Sequence, residues 1–364
     1  MENLARVRRL SGVELSRSEL TGALGDSVTV LPVVVAVAAL TDLSLSRLLL
    51  GFAVFQVVWG VYYGLPISVE PMKALAALVI AGSLTPSELA AAGLLAGVTL
   101  LAVGATGTLA RIERYVDRPV IRGVQLAVGL VLLRTGVELS LDGPVYALVA
   151  VGVVVGTVAV GYRRGSTLAV LAVGIAVALA ETGMPSPHLP TLAFVSPGAV
   201  ALSTDAVGAT VGQLAMTVGN AAVATSLLLS DYFDADVSAD DLASSMGAMN
   251  LLAVPVGAMP MCHGSGGVAG KYAFGARTAG ANVILGVLYA LAAVVAVGVV
   301  AAFPLSMLGV VLAVIAVELG RAGLDTDDLP ITVGVGLLGV ATNVGIAFVV
   351  GVVAARLRRR VADA

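Results

Sequence analysis

One cysteine, two lysines, two histidines and one tryptophan are all that 364 residues contain of those types. A lone Cys262 excludes an intramolecular disulfide. With so few histidines there is no Cys/His cluster for a structural metal. Charged residues make up 12%, against about 25% in an ordinary soluble domain. A net charge of -3 without a basic stripe excludes nucleic acid as a partner. No Gly-x-x-x-x-Gly-Lys-Ser/Thr loop is present, so ATP is not the direct energy source. His263 and Ser265 share one turn rather than standing as base and nucleophile, which argues against an enzyme. No cofactor is expected.

What the chain has instead is apolar length. Hydrophobic residues make up 59% and mean hydropathy is +1.03. Glycine (43) and proline (14) are abundant, as in tightly packed membrane helices. The runs of Val, Ala, Leu and Gly are continuous rather than alternating, which excludes a transmembrane barrel. A polytopic α-helical membrane protein follows.

Two stretches stand out. Pro66-Ile67-Ser68-Val69-Glu70-Pro71-Met72-Lys73 carries two prolines and two charges inside a very apolar region. Its frame returns as Pro255-Val256-Gly257-Ala258-Met259-Pro260-Met261-Cys262-His263, 189 residues later (Pro66 to Pro255, Pro71 to Pro260). Proline at a first turn starts a helix without losing a needed N–H. Each copy therefore predicts a short extended run that becomes a helix beginning in mid-membrane. Paired broken helices at matching places mark a transporter binding site.

The expected first half, residues 21–182, holds spans at about 24–40, 46–63, 71–82 (a half-helix), 87–109, 119–136, 144–161 and 166–181. A charged N-terminal segment, 1–20, with an interfacial helix and no cleaved signal peptide, precedes it. A Pro/Ser-rich connector, 183–207, divides the chain. The second half, 208–356, holds spans at about 208–229, 242–256, 262–275 (a half-helix), 278–302 and 304–320. The last apolar run, 329–356, is too long for one span and splits at Ala341-Thr342-Asn343. A short tail, 357–364, follows. Seven spans per half make an inverted repeat, with a core and a gate. With an inside N-terminus, the arginines at 111–118, 163–164, 277, 321 and 356–360 all fall inside, as the positive-inside rule requires. Two further matches support duplication: Gly25–Pro32 over Gln213–Asn220, and Pro119 with Pro304. The arginine-rich composition and a pI near 5.4 point to the cytoplasmic membrane of a prokaryote, with both termini cytoplasmic.

Each half-helix N-terminus offers free N–H groups and about half a positive charge. Two of them facing each other form an anion cradle. The donors are expected around Met72, Lys73 and Ala74, and around Cys262, His263, Gly264 and Ser265, with Gly264, Gly266 and Gly267 allowing close approach. Lys73 either attracts the anion or pairs with Glu70 or Asp26. Asp26, Glu70 and His263 are the candidates for a coupling proton; a satisfied structural histidine is the alternative for His263. Ser27, Thr29, Gln213 and Thr217 are hydrogen-bonders on the spans that cross the half-helices, and such groups also glue membrane helices together. Lys271 and Arg277 are expected to snorkel to the surface. The Gly93 to Gly97 spacing reads as packing rather than dimerisation, and the sequence leaves a homodimer open.

At Gly64-Leu65-Pro66-Ile67-Ser68-Val69-Glu70-Pro71-Met72-Lys73-Ala74, at Arg118-Pro119-Val120-Ile121-Arg122-Gly123-Val124-Gln125-Leu126, and at residues 259–278 the chain resembles the molybdate transporter family, related to the sulfate permeases. The run from Met259 to Thr278 is the most specific part. The resemblance covers nearly the whole chain. It departs from the family pattern at Glu70, where Gln is usual, and at Ala215, where proline is usual. It implies a fourteen-span inverted repeat in which spans 1, 3, 8 and 10 form the substrate-holding core. It implies a secondary active importer of molybdate or a similar tetrahedral oxyanion such as tungstate or sulfate, with a proton as possible symported ion. The alternatives on the same fold are a sulfate or nucleobase carrier; an anion channel is a third reading.

Overall fold

The computed structural model describes residues 13–362 except residues 115, 188, 191–193, 195, 197–198 and 296. Most of the expected N-terminal segment, parts of the connector, and the last two residues of the tail lie outside the described residues. What is described is almost wholly helical, a mostly helical membrane protein. Six helices are long and apolar enough to cross a bilayer: α1 (Arg17–Leu40), α2 (Leu45–Tyr63), α4 (Pro86–Ala105), α6 (Arg118–Asp142), the run Thr204–Phe233, and α15 (Leu305–Leu324). Between them lie α3 (Lys73–Ile80), the short α5 (Leu109–Glu113), α7 (Pro144–Ala159) and α8 (Ser166–Thr182). The run from Thr204 is α9 (Thr204–Met216), a π-helical stretch (Thr217–Val223) and α10 (Ala224–Phe233). Then come α11 (Ala239–Ala253), α12 (Ser265–Ala273), α13 (Gly280–Val295) and α14 (Val297–Ala301). Past α15, α16 (Leu329–Ala341) and α17 (Val344–Ala362) are separate helices.

Most helix starts are local chemistry. Ser16 accepts from Glu19 N–H, so α1 begins at Arg17, well ahead of the expected residue 24. Thr85 with Glu88 and Ser238 with Asp241 form capping boxes at α4 and α11. Proline opens α4, α6, α7 and α16 within the first two positions. The expected loop at 111–118 is shortened by α5. The break in the last apolar run falls between Ala341 and Val344, where Asn343 Oδ1 accepts from Ile346 N–H at 2.9 Å. Close helix crossings run through glycine. A Cβ on Gly136 of α6 would lie 2.6 Å from Gly309 O of α15, and the converse is also 2.6 Å. Gly93 and Gly97 of α4 face Pro260, Asn250 and Leu251, which is packing within the chain.

The two proline frames meet at the centre. Strands β1 (Glu70–Pro71) and β2 (Met261–Cys262) pair antiparallel, Glu70 opposite Cys262 and Pro71 opposite Met261. The residue before proline is held extended, so Glu70 and Met259 cannot continue a helix. The ribbon's outer edges need partners, because unsatisfied backbone is costly in a membrane. Side-chain amides supply them. Asn250 donates to Met261 O and accepts from Met261 N–H, both at 2.8 Å. Gln56 donates to Val69 O at 3.1 Å. Helices α3 and α12 leave this ribbon from its two strands.

Candidate functional site

Helix α3 starts at Lys73 and α12 at Ser265, and both first turns border one cavity of about 260 Å³. It is lined by Glu70, Lys73, Gln213, Met216, Asn220, Ala221, Cys262, Gly264, Ser265 and Gly266. Arg122 and Gln125 of α6 with Leu319 and Ala322 of α15 complete the lining. The cavity is therefore lined by the ribbon, the two half-helices and α9, together with two other helices, α6 and α15.

The two helix N-termini are partly engaged by side chains. Gln213 Oε1 accepts from Ala74 N–H at 2.9 Å and Leu75 N–H at 3.4 Å, while its Nε2 donates to Thr217 Oγ1 at 3.0 Å. Glu70 Oε1 accepts from Gly267 N–H at 2.7 Å. Met72 N–H donates to Pro260 O. Hence the expected donors at Met72 and Ala74 are occupied, which corrects the picture of an empty cradle at α3. At α12, the N–H groups of Ser265 and Gly266 have no acceptor among the described residues and lie beside the cavity. The charges alternate. Lys73 Nζ lies 2.7 Å from Glu70 Oε2, an ionic contact that leaves this oxygen without a well-angled hydrogen bond. Lys73 is 31% exposed toward the cavity, whereas Glu70 is fully buried. Arg122 Nη1 donates to Gln125 Oε1 at 2.9 Å, and Nη2 approaches the exposed Asp325 at 3.6 Å.

Of the residues predicted from the sequence, Glu70, Lys73, Gln213, Cys262, Gly264, Ser265 and Gly266 line this cavity. Thr217 stands behind Gln213 and Met72 is buried under the ribbon. Ser27 and Thr29 do not reach it. Ser27 accepts from Tyr289 O–H, and Thr29 Oγ1 donates to Asp26 O. His263 also points elsewhere: Nδ1 donates to Ser68 O at 3.0 Å, and Nε2 is 2.8 Å from Ser245 Oγ. Its ring stands edge-on to Trp59 and Tyr63. This is the structural reading of that histidine. Asp26 pairs with Lys271, not Lys73, at 3.1 Å. That overturns the snorkelling expectation for Lys271, which is fully buried because Gln56, Ile67 O and Asn282 surround its ammonium. Arg277 does reach the periphery, its guanidinium 3.8 Å from the Tyr272 ring centre.

Arg122, Gln125 and Asn220 border the cavity and were not singled out from the sequence. The signal for Arg122 was there: a cation in the first turns of an apolar span. Asn220 Nδ2 is buried without a partner among the described residues. Nothing in the sequence ties Asn220, the middle residue of the π-helical stretch, to the half-helices.

A family model described as "Molybdate transporter of MFS superfamily" matches residues 18–132 and 205–319. The chain is 30% identical over 384 residues to molybdate transporter 2 of Arabidopsis thaliana, covering 88% of this chain and 82% of the relative. Molybdate transporter 1 of Chlamydomonas reinhardtii is 25% identical over 486 residues, covering 97% and 93%. Among solved structures, the transmembrane domain of the cyanobacterial bicarbonate transporter BicA aligns at TM-score 0.70 and 15% identity, over 92% of this chain and 97% of that one. Murine Slc26a9, an anion transporter in the inward-facing state, aligns at 0.73 and 14%, over 97% and 70%. These likenesses show the fold. The relatives also correct the expected location. They come from a plant and an alga, so the placement in a prokaryotic cytoplasmic membrane does not stand; a multi-pass membrane protein does.

Proposed function

Because the chain belongs to the molybdate transporter family, we propose that it is a secondary active transporter of molybdate or a similar tetrahedral oxyanion, held in the cavity between α3 and α12. The observation that carries this reading is that two cations, Lys73 and Arg122, line one cavity with the N–H groups of Ser265 and Gly266, which have no acceptor among the described residues. A dianion there meets two cationic side chains and backbone donors from the helix end. An enzyme reading has no support from these relatives, all of them transporters.

The alternating charges suggest how binding and a proton are linked. Glu70 occupies one N–H of α12 and the Lys73 ammonium, the same groups an oxyanion needs. Two unit charges 4 Å apart attract by about 4 kcal/mol at an effective dielectric constant of 20. A dianion therefore competes well with a carboxylate for Lys73, and better still once Glu70 is protonated. Proton symport with Glu70 as the carrier is the mechanism we favour. Core and gate are assigned from the elements that line the cavity: the ribbon, α3, α9 and α12 would move against α6 and α15. The two segments matched by the family model begin at residues 18 and 205, an offset close to that of the proline frames, which supports a seven-plus-seven inverted repeat.

The test is equilibrium binding of molybdate to purified protein, competed with tungstate and sulfate, followed by uptake into proteoliposomes. Molybdate binding that weakens in Lys73→Ala and Arg122→Ala supports the site. Sulfate binding with no molybdate signal would remove the substrate, and uptake insensitive to an imposed pH gradient would remove the proton.

A further inference from the structure

Lys271 is used by none of the steps above, yet its buried ammonium is surrounded by oxygens. Four oxygens surround its Nζ: Ile67 O at 2.6 Å, Gln56 Oε1 and Asn282 Oδ1 at 2.9 Å, and Asp26 Oδ2 at 3.1 Å. They come from four different elements, α1, α2, the extended segment before β1, and α13, while Lys271 itself is on α12. All five residues are fully buried. The amide nitrogens of Gln56 and Asn282 bond neighbouring oxygens. Gln56 Nε2 donates to Asp26 Oδ2 and Val69 O, and Asn282 Nδ2 donates to Gln56 O, Gln56 Oε1 and Ile67 O. The oxygens are thus held facing inward by bonds that do not involve the lysine.

One carboxylate, two amide oxygens and a carbonyl form a hard-oxygen set of net charge -1. Calcium takes oxygens at about 2.3–2.6 Å and six to eight of them. Here three of the four lie at 2.9–3.1 Å, and a single carboxylate is present. The spacing and charge suit a monovalent cation of the size of ammonium or potassium. We propose that Lys271 is a tethered cation: its ammonium fills an all-oxygen monovalent-cation site, so that the half-helix α12 is docked onto α1, α2 and α13 without a free alkali ion. The wild-type protein then needs no dissolved cation at this point, and removal of the lysine side chain turns the point into a site that takes one.

The experiment compares wild type, Lys271→Ala, and the double variant Lys271→Ala with Asp26→Asn. Thermal unfolding of purified protein is followed in chloride salts of N-methylglucamine, sodium, potassium, ammonium and methylammonium at equal ionic strength. The expected result is a melting temperature for Lys271→Ala about 5–10 °C below wild type in N-methylglucamine, since an uncompensated buried carboxylate is left. Ammonium, methylammonium or potassium should raise it saturably by at least half of that loss. Wild type and the double variant should not respond. Equal behaviour of Lys271→Ala in all five salts would overturn the proposal, as would a wild type that itself gains from potassium or sodium. If Lys271→Ala yields protein only when membranes are solubilised in ammonium or potassium, that dependence is the same positive result. If it yields none in any salt while the double variant folds, the proposal also falls. None of these readouts uses molybdate, so they stand apart from the substrate assignment.

Discussion

Gly267 donates its N–H to the Glu70 carboxylate at 2.7 Å, across the interface between the first proline frame and the second half-helix. A carboxylate thus sits where the end of a helix invites an anion. The glycine is required for this. A Cβ on Gly267 would fall 2.1 Å from both Asp26 Oδ1 and Ser68 Oγ, and 2.6 Å from Glu70 Oε1.

Glu70→Gln keeps an oxygen for Gly267 and removes the charge that competes with an oxyanion for Lys73. Molybdate affinity should rise about tenfold, which corresponds to about 1.4 kcal/mol and is well under the full charge interaction. Titration calorimetry reads this directly. Weaker binding in the variant would mean that the carboxylate helps to hold the ligand.

Lys73 and Arg122 should differ in what else they do. Arg122→Ala loses only a contact with exposed Asp325 and a hydrogen bond to Gln125, so its melting temperature should move by no more than about 2 °C while molybdate affinity falls at least about tenfold. Lys73→Ala should lose affinity and also stability, because Glu70 remains buried without its partner. Adding Glu70→Ala should restore most of that stability but not the binding, a coupling that a double-mutant cycle would quantify.

Gln213→Ala strands the N–H groups of Ala74 and Leu75 at the start of α3. The cost should be about 1–3 kcal/mol, seen as a fall in melting temperature of several degrees. Gln213→Glu keeps the acceptor and adds a charge, so it should bind molybdate at least about tenfold more weakly with little change in melting temperature.

The glycines of the second motif should separate by position. Gly264→Ala places a Cβ 2.0 Å from the Glu70 carboxylate, and Gly267→Ala is equally crowded; neither variant should be recovered folded. Gly266→Ala meets nothing closer than 3.9 Å and should fold, with altered substrate affinity because it borders the cavity. Size-exclusion profiles and binding assays distinguish the three.

His263→Gln tests a role that the geometry argues against. Both ring nitrogens are engaged with Ser68 and Ser245 inside the packing. The variant should lose stability yet leave the pH dependence of uptake unchanged. A shifted pH profile would return His263 to the coupling machinery.

Much of this protein was legible locally. Apolar run length separates a membrane protein from a soluble one, and proline acts on its own residue and the one before it. So the starts of α3 and α12, the extended runs before them and the break at Ala341–Val344 follow from short stretches of chain, whereas the pairing of those runs into a ribbon does not. The cavity-facing residues of the two motifs, Glu70, Lys73, Ser265 and Gly266, were legible for the same reason. The tertiary structure alone decided the partners. Asp26 meets Lys271 across 245 positions of chain, and Gln213 reaches the N–H of Ala74 from 139 positions away. Arg122 joins the cavity only because α6 packs against α3. A buried charge takes whichever opposite charge or oxygen the packing brings within about 3 Å, and in a low-dielectric interior that choice governs whether a lysine serves the substrate, as Lys73 is placed to do, or the fold, as Lys271 does.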